Sequence, residues 1–489
     1  MRKTRSFTVS DVVSFTNKLL SWAQQFEEVA WLDSNGHYDR YGAFDALLAV
    51  DGHTSLVTDA PHAFVDLQKY QKGTRDWIFG YLTYDLKNDI ERLSSGNVDG
   101  LHFPELYFFQ PKKIIRLIGE TVDFIYLSVL EDDIAADFAE ISRIDDYDSV
   151  VHGLDGLDGD KRKGLRKDEN KGFRKMETES SEKHKRGSFE EKEIAVTEKE
   201  HGASTDAEKP NRKNIRIKLR TFKDDYFRRV NEMLAHIHRG DIYEANFCQE
   251  FYAEHTEIDA LKTYQKLNSI SKAPFATFLK IRDKYLLCAS PERYLKKMGN
   301  RIISQPIKGT AKRAENPEMD AALKVALQTD PKERAENIMI VDLVRNDLSK
   351  SALKGSVQVE ELCKVYTFEQ VHQMISTVTA AVPDDKNPVE IIRETYPMGS
   401  MTGAPKISAM QIIDQLEAFK RGLYSGAVGY FTPEGNFDFN VVIRSILYNA
   451  THSYVSYAVG SAITAKSVPE REYEECLLKA KAMREVLGD

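Results

Sequence analysis

The stretch GAVGYFTPEGNFDFNVVIRSILYNATHSYVSYAVGSAIT, Gly426 to Thr464, decides the fold class. Its runs GAVGYF, NVVIRSILY and SYVSYAVGSAIT are rich in Val, Ile, Tyr and Phe, and short polar turns separate them. Strands so closely joined pair antiparallel, because a parallel crossover needs a dozen or more residues. FATFLKI (275–281) and KYLLCAS (284–290) repeat the pattern upstream. Helical segments alternate with these strands. Tyr226, Val230, Met233 (with Leu234) and Ile237 recur at helical spacing, and Arg239-Gly240 ends that helix. The chain shows no internal repeat, no Gly-x-Gly-x-x-Gly and no P-loop. The pattern predicts an α+β fold built on antiparallel sheet.

Residues 1–150 mix short apolar runs such as VAWLDS, FDALLAV and DWIFGYLTYDL with turn residues, and read as an N-terminal α+β subdomain. From Asp155 to Pro210 aromatics are scarce and both charge signs are dense. Such a segment buries too little apolar surface to offset its ordering entropy, so 151–213 reads as a disordered insertion. Residues 214–489 form the second ordered region.

Bulk properties narrow the function. A net charge of −8 argues against a nucleic-acid partner, whose binding face needs excess Lys and Arg. The four cysteines, Cys248, Cys288, Cys363 and Cys476, are far apart and fit reduced thiols in the cytoplasm. No stretch approaches the ~20 apolar residues of a membrane span, and the basic start lacks the apolar run of a signal peptide.

Two helix starts carry paired acids. DPKERAENIMIVDLVRNDL begins with Asp330 as N-cap and Pro331 at the first helical position, with Glu333 and Glu336 on one face. SVPEREYEECLLKAKAMREVL places Ser467 as N-cap and Glu470 as its capping-box partner, with Glu472 and Glu475 again three apart. Each pair alone equally reads as a complement to the helix dipole. Together they form a set of carboxylates able to face one hard cation such as Mg²⁺.

Cationic and small residues suggest an anionic small substrate. Arg444 lies in the apolar run NVVIRSI, where a strand would aim it inward toward a carboxylate or a structural ion pair. Gly460, in VGSAIT, reads as part of a backbone anion nest or as a close strand crossing. Lys479 lies one helical turn after Glu475, as a substrate contact or its salt-bridge partner. The small residues Gly399 to Ala404 precede a helix and resemble an anion-accepting start. His372 sits among apolar neighbours, where a histidine is usually a hydrogen-bonded core residue. Lys308 stands out most. In SQPIKGTAKR (304–313) it is flanked by Pro, Ile and Gly, and a lysine so placed can be held in a pocket and made to react.

In chain order, GDIYEANFCQEF, SPERYLKK, PIKGT, AENIMIVDLVRNDL, YPMGSMTGAPK, YSGAVGYF, VVIRS, GSAIT and PEREYEECLLKAKA resemble the motifs of chorismate-utilising enzymes. The resemblance covers essentially all of 214–489 and, more weakly, 1–150. It implies antiparallel sheets packed as a sandwich flanked by helices. Members that add nitrogen at ring carbon C2 carry alanine where this chain has Lys308. The lysine implies attack at C2, loss of the C4 hydroxyl, then displacement by ammonia at C4 to give 4-amino-4-deoxychorismate. Such a lysine must be partly unprotonated, which burial beside a cation promotes.

The resemblance further implies Glu292 as general acid, and Glu336 and Glu475 as Mg²⁺ ligands with Glu333 and Glu472 as outer partners. It places Tyr424, Arg444, Gly460 and Lys479 around substrate carboxylates, and Gly309, Thr310, His372 and Ser400 along the ring pocket. A tryptophan site in related large subunits is matched closely at WLDS, through Leu32, Asp33 and Ser34, and departs at KAPFA (272–276). Lys466 also departs from the family pattern, at a position that is commonly acidic. The sequence contains no glutaminase nucleophile elbow of the Gly-x-Cys-x-Gly type, so ammonia is expected from a separate class I glutaminase subunit. The competing readings are C2 amination to anthranilate, an isochorismate- or salicylate-forming relative, and a non-catalytic regulator of a glutaminase that binds chorismate or tryptophan.

Overall fold

Strands Ala46–Thr58 and Leu106–Ile118 run antiparallel for most of their length, and Leu106–Ile118 serves two layers. Its first residues also pair with strand Ile78–Leu82, and its last with strand Thr121–Leu127. This computed structural model describes residues 1–144, 215–369 and 371–488. The charged segment expected over 151–213 lies outside the described residues. The described parts of 1–145 and 214–489 belong to one compact unit, with strands of both interleaved.

The first layer begins at Arg2–Thr8 and passes through 121–127, 106–118 and 46–58 to Glu28–Asp33. It continues through Phe275–Ile281, Lys284–Ser290, Ser445–Asn449 and Tyr454–Thr464 to Glu244–Ala253. The second layer runs from 78–82 through Ala427–Phe431, Phe437–Val441 and Arg293–Met298 to Arg301–Gln305. It ends on Val371–Ala381, which also carries Ile307–Lys312 and Gln358–Thr367. All these pairings are antiparallel, and where consecutive strands pair, as at 275–290 and 427–441, the short polar connections require it.

Strand alternation divides the core. Leu47 and Ala49 join Phe79, Phe108, Phe431 and Phe439 in one cluster, between the layers. Leu48 and Val50 belong to the other, with helices Val12–Ala23, Lys223–Arg239, Lys406–Leu416 and Pro469–Leu487. Each such large apolar side chain contributes about 1.5–3 kcal/mol when fully buried. The α+β sandwich flanked by helices is therefore the architecture of this chain. Helix Lys223–Arg239 buries the expected Tyr226, Val230, Met233 and Ile237 and ends on left-handed Gly240.

Three local expectations change. NVVIRSILY is not one strand: Phe437–Val441 pairs in the second layer and Ser445–Asn449 in the first, and the chain steps between layers at 442–444. Ser467 is not the N-cap of the last helix. Its hydroxyl accepts from the Thr464 N–H at 3.1 Å, and the helix begins at Pro469 after Val468. The segment Gly399–Ala404 is not an anion-accepting helix start. The Met401 and Thr402 N–H groups bond back to Met398 and Gly399, Gly403-Ala404 pair with strand 244–253, and the N-cap is Pro405, which has no N–H.

Candidate active site

Ile443 and Arg444, at the layer step, line a cavity of about 750 Å³. Arg293 pairs with Gln305, so Glu292 lies opposite Pro306, where the chain bends into the strand carrying Lys308. That strand is bulged. Ile307 faces Ile375 but Thr310 faces Gln373, leaving an extra residue at Lys308-Gly309. Gly309 has φ +92°, and a Cβ there would lie 3.1 Å from the Glu333 carboxylate. Only glycine takes this conformation without strain while letting the acidic helix approach. Lys308, Gly309, Thr310 and Glu292 all line the cavity.

Helices Pro331–Ser349 and Pro469–Leu487 bring their first turns to it. Asp330 caps the first of them as expected, accepting from the Lys332 and Glu333 N–H groups. Glu333 and Glu336 from one helix, and Glu472, Glu475 and Lys479 from the other, line the same space. Asn337, fully buried on the first helix, donates to the Lys308 carbonyl at 3.4 Å and the Met374 carbonyl at 3.3 Å. It fixes the acidic helix against the lysine strand.

Ser400, Tyr424, Arg444 and Gly460 complete the wall. Arg444 points inward because it occupies the step between layers with φ +53°, not because of strand alternation. Among the described residues no carboxylate lies within 4 Å of its guanidinium, so the structural ion pair is not formed. Burial lowers its pKa, a sign of a cation short of compensation. Gly460 is a close strand crossing as well as a cavity residue. A Cβ there would stand 2.5 Å from Asn246 Oδ1 and from Cys248 Sγ. Lys479 pairs with Glu475 at 2.6 Å and donates to the Gly460 carbonyl at 2.8 Å.

His372 is the site candidate that the structure moves away. Its neighbours Val371 and Gln373 line the cavity, and strand alternation puts His372 on the opposite face. There it is buried, with Nε2 2.9 Å from Asp320 and Nδ1 3.1 Å from Thr367 Oγ1. Leu32, Asp33 and Ser34 lie elsewhere too. They line a second cavity of about 750 Å³ with Phe275 and Tyr430, and the buried Ser34 hydroxyl has no protein partner there.

Electrostatics distinguish the acids. Burial pushes the Glu292 carboxyl up to about 7, only partly offset by the facing Ser400 hydroxyl, the Lys308 ammonium and the Ile307 N–H. A carboxyl protonated near neutrality is what a general acid needs. Burial also pushes Glu336 up to about 7. Burial alone would lower the Lys308 pKa, but Glu244, Glu336, Glu292 and Glu475 together raise it, so facing these carboxylates the side chain is an ammonium.

Glu244 joins these residues only in the folded chain. Its carboxylate is 3.5 Å from Lys308 Nζ and is buried. Asn246, two residues on and so on the same strand face, lines the cavity and donates to the Ser400 carbonyl at 3.1 Å. The legible signal was GDIYEANF itself, with two polar side chains at alternate positions of an otherwise apolar strand.

The four glutamates offer hard oxygen donors from two facing helix starts, and Glu336 is a carboxylate whose charge burial leaves under-compensated. That chemistry fits Mg²⁺. As the side chains stand, Lys332 lies 3.7 Å from Glu336 and Lys479 holds Glu475. Among the described residues no three acidic, histidine or cysteine side chains already converge as a metal cage. Binding the ion would therefore displace ammonium groups.

Residues 27–485 match the chorismate binding enzyme family. Over 272 residues the chain is 44% identical to an aminodeoxychorismate synthase of Streptomyces griseus, a match covering 55% of this chain and 37% of that protein. It is 39% identical over 251 residues to aminodeoxychorismate synthase component 1 of Salmonella typhimurium, covering 51% and 55%. The chain thus spans about half the length of these curated relatives, or less. The crystal structure of anthranilate synthase component I from Streptococcus pneumoniae shares the fold, with a TM-score of 0.66 over 92% of this chain and 94% of that one, at 21% identity. By the match across nearly its whole length, the chain belongs to the chorismate binding enzyme family.

Proposed function

We infer that the chain aminates chorismate at C4, as the chorismate-converting component of an aminodeoxychorismate synthase. The observation that carries this reading is Lys308 in the cavity beside a carboxyl held protonated near pH 7, Glu292. The lysine amine attacks C2, the ring double bonds shift, and the C4–O bond breaks as Glu292 gives its proton to the leaving hydroxyl. Ammonia then attacks C4, the bond to Lys308 breaks, and 4-amino-4-deoxychorismate leaves. Arg444, Lys479 and the Gly460 backbone hold the substrate carboxylates, and Thr310, Ser400 and Tyr424 border the ring.

Glu336 and Glu475 would hold Mg²⁺, with Glu333 and Glu472 orienting them. The bound ion would supply positive charge for a ring carboxylate. Ammonia would come from a separate class I glutaminase subunit, in the cytoplasm. Among the described residues no helix is long and apolar enough to cross a membrane. Tryptophan is assigned to the second cavity, where Leu32, Asp33 and Ser34 would meet it.

The test is to quench the protein with chorismate and Mg²⁺, without ammonia, and digest it. The peptide containing Lys308 should carry the mass of chorismate less one water. A modification on another residue would refute the assignment of the nucleophile.

A further inference from the structure

The start of strand Glu244–Ala253 is held on both sides. Glu244 pairs with Thr464 on one edge and Ala404 on the other. A Cβ on Gly403 would come 2.2 Å from the Glu244 carbonyl, so the close approach depends on that glycine. The backbone is thereby fixed, and the side chain shares the cavity-facing side of the strand with Asn246. Glu244 is 3% exposed, and Lys308 Nζ lies 3.5 Å from its carboxylate. Catalytic hydrogen bonds are often this long before substrate binds, and they tighten in the complex.

We propose that Glu244 is the base that takes a proton from Lys308 as its amine attacks the substrate ring, a reading that rests on the chorismate amination inferred above. Lys308 rests as an ammonium and has no lone pair to attack with until it gives up a proton. Glu292 cannot receive that proton, because it enters the reaction already protonated and as donor. Among the described residues, Glu244 is the buried carboxylate paired with Lys308 Nζ.

The protons balance. Glu244 accepts one from Lys308, the nitrogen bonds to C2, and Glu292 gives its own to the departing hydroxyl, which leaves as water. Ammonia then bonds to C4, and the bond from C2 to Lys308 breaks with its electron pair staying on nitrogen. The new C4 ammonium passes a proton to Glu292, and Glu244 returns its proton to Lys308. Both carboxyl groups end as they began, and the net reaction is chorismate plus ammonia to the amine plus water.

A merely electrostatic partner predicts the opposite sign in one experiment. Removing its charge by Glu244→Gln would lower the pKa of Lys308, supply more free amine and leave the rate at neutral pH equal or higher. The base role predicts a fall in kcat of about 10²-fold with little change in the KM for chorismate. Glu244→Asp, which keeps a carboxylate, should retain more activity than Glu244→Gln. Glu244→Ala should be partly restored by added formate. Rates would be measured on the full chain with chorismate, Mg²⁺ and ammonium, alongside pH-dependent acetylation of Lys308 read by peptide mass.

Slow Glu244→Gln, formate rescue of Glu244→Ala and Lys308 acetylated at lower pH in Glu244→Gln support the proposal. A Glu244→Gln enzyme as fast as the parent, formate without effect, or unchanged Lys308 acetylation overturns it and leaves the amination reading in place. A parent enzyme that forms no aminodeoxychorismate removes that reading, and the base with it.

Discussion

Gly460 and Lys479 meet across the cavity wall, the lysine ammonium 2.8 Å from the glycine carbonyl. The contact joins strand Tyr454–Thr464 to helix Pro469–Leu487, which carries Glu472 and Glu475. The strand can sit this close to its neighbour because position 460 has no side chain. In Gly460→Ala the new Cβ would press on Asn246 Oδ1, Cys248 Sγ and the Phe247 carbonyl. We expect a loss of about 1–3 kcal/mol in denaturant unfolding. The KM for chorismate should rise as well, because Asn246 and Lys479 both border the site.

Glu292 predicts a pH signature. Its carboxyl is raised above the ordinary value by burial, so the folded state holds a proton that the unfolded chain has released. The folded state therefore binds more protons between about pH 4.5 and 7, and this group's contribution to stability falls as pH rises through that window. Glu292→Gln should be more stable than the parent at pH 8 by up to about 3 kcal/mol, and similar to it at pH 4.5. The same substitution should lower kcat by about 10²-fold or more. Unfolding at the two pH values and steady-state rates check both.

Arg293 follows Glu292 and is buried among acids. It donates to Asp438 at 2.9 and 3.1 Å, to Gln305 at 2.7 Å, and to Asp39. Arg293→Met leaves Asp438 with Lys296 alone and takes the guanidinium from Asp39. The expected cost is about 3–5 kcal/mol, read as a lowered Tm. Asp39 lines the second cavity, so ligand binding there should weaken too.

The second cavity is tested by calorimetry with tryptophan. Ser34→Phe, which fills the space at an unpartnered hydroxyl, should weaken binding about tenfold or more, equivalent to about 1.4 kcal/mol. Equal heats from parent and variant would remove tryptophan from this cavity.

Much of this molecule was legible as sequence, for reasons that also explain the exceptions. Residues fixed by local chemistry were readable: Asp330 as a cap, the helical spacing ending at Gly240, and the lysine set between Pro306-Ile307 and Gly309. Residues whose role depends on layer geometry were not. NVVIRSILY has the composition of one strand, yet it steps between layers, and that step, not alternation, aims Arg444. Gln373 and His372 are neighbours on one strand, and nothing local says which of them faces the cavity. Ser467 has the chemistry of a cap but spends its hydroxyl on the Thr464 N–H. Glu244 matters through Lys308, a partner on a strand of the other layer that only the packing of the two layers brings near.

The most direct test of the central claim is where nitrogen enters the ring. The chain would be incubated with chorismate, Mg²⁺ and ¹⁵N-ammonium, and the product identified by mass and by ¹⁵N coupling to ring protons. The account predicts 4-amino-4-deoxychorismate with label on C4, and loss of that product by on the order of 10³-fold or more in Lys308→Ala. Anthranilate and pyruvate from the parent enzyme, or undiminished C4 amination by Lys308→Ala, would contradict it.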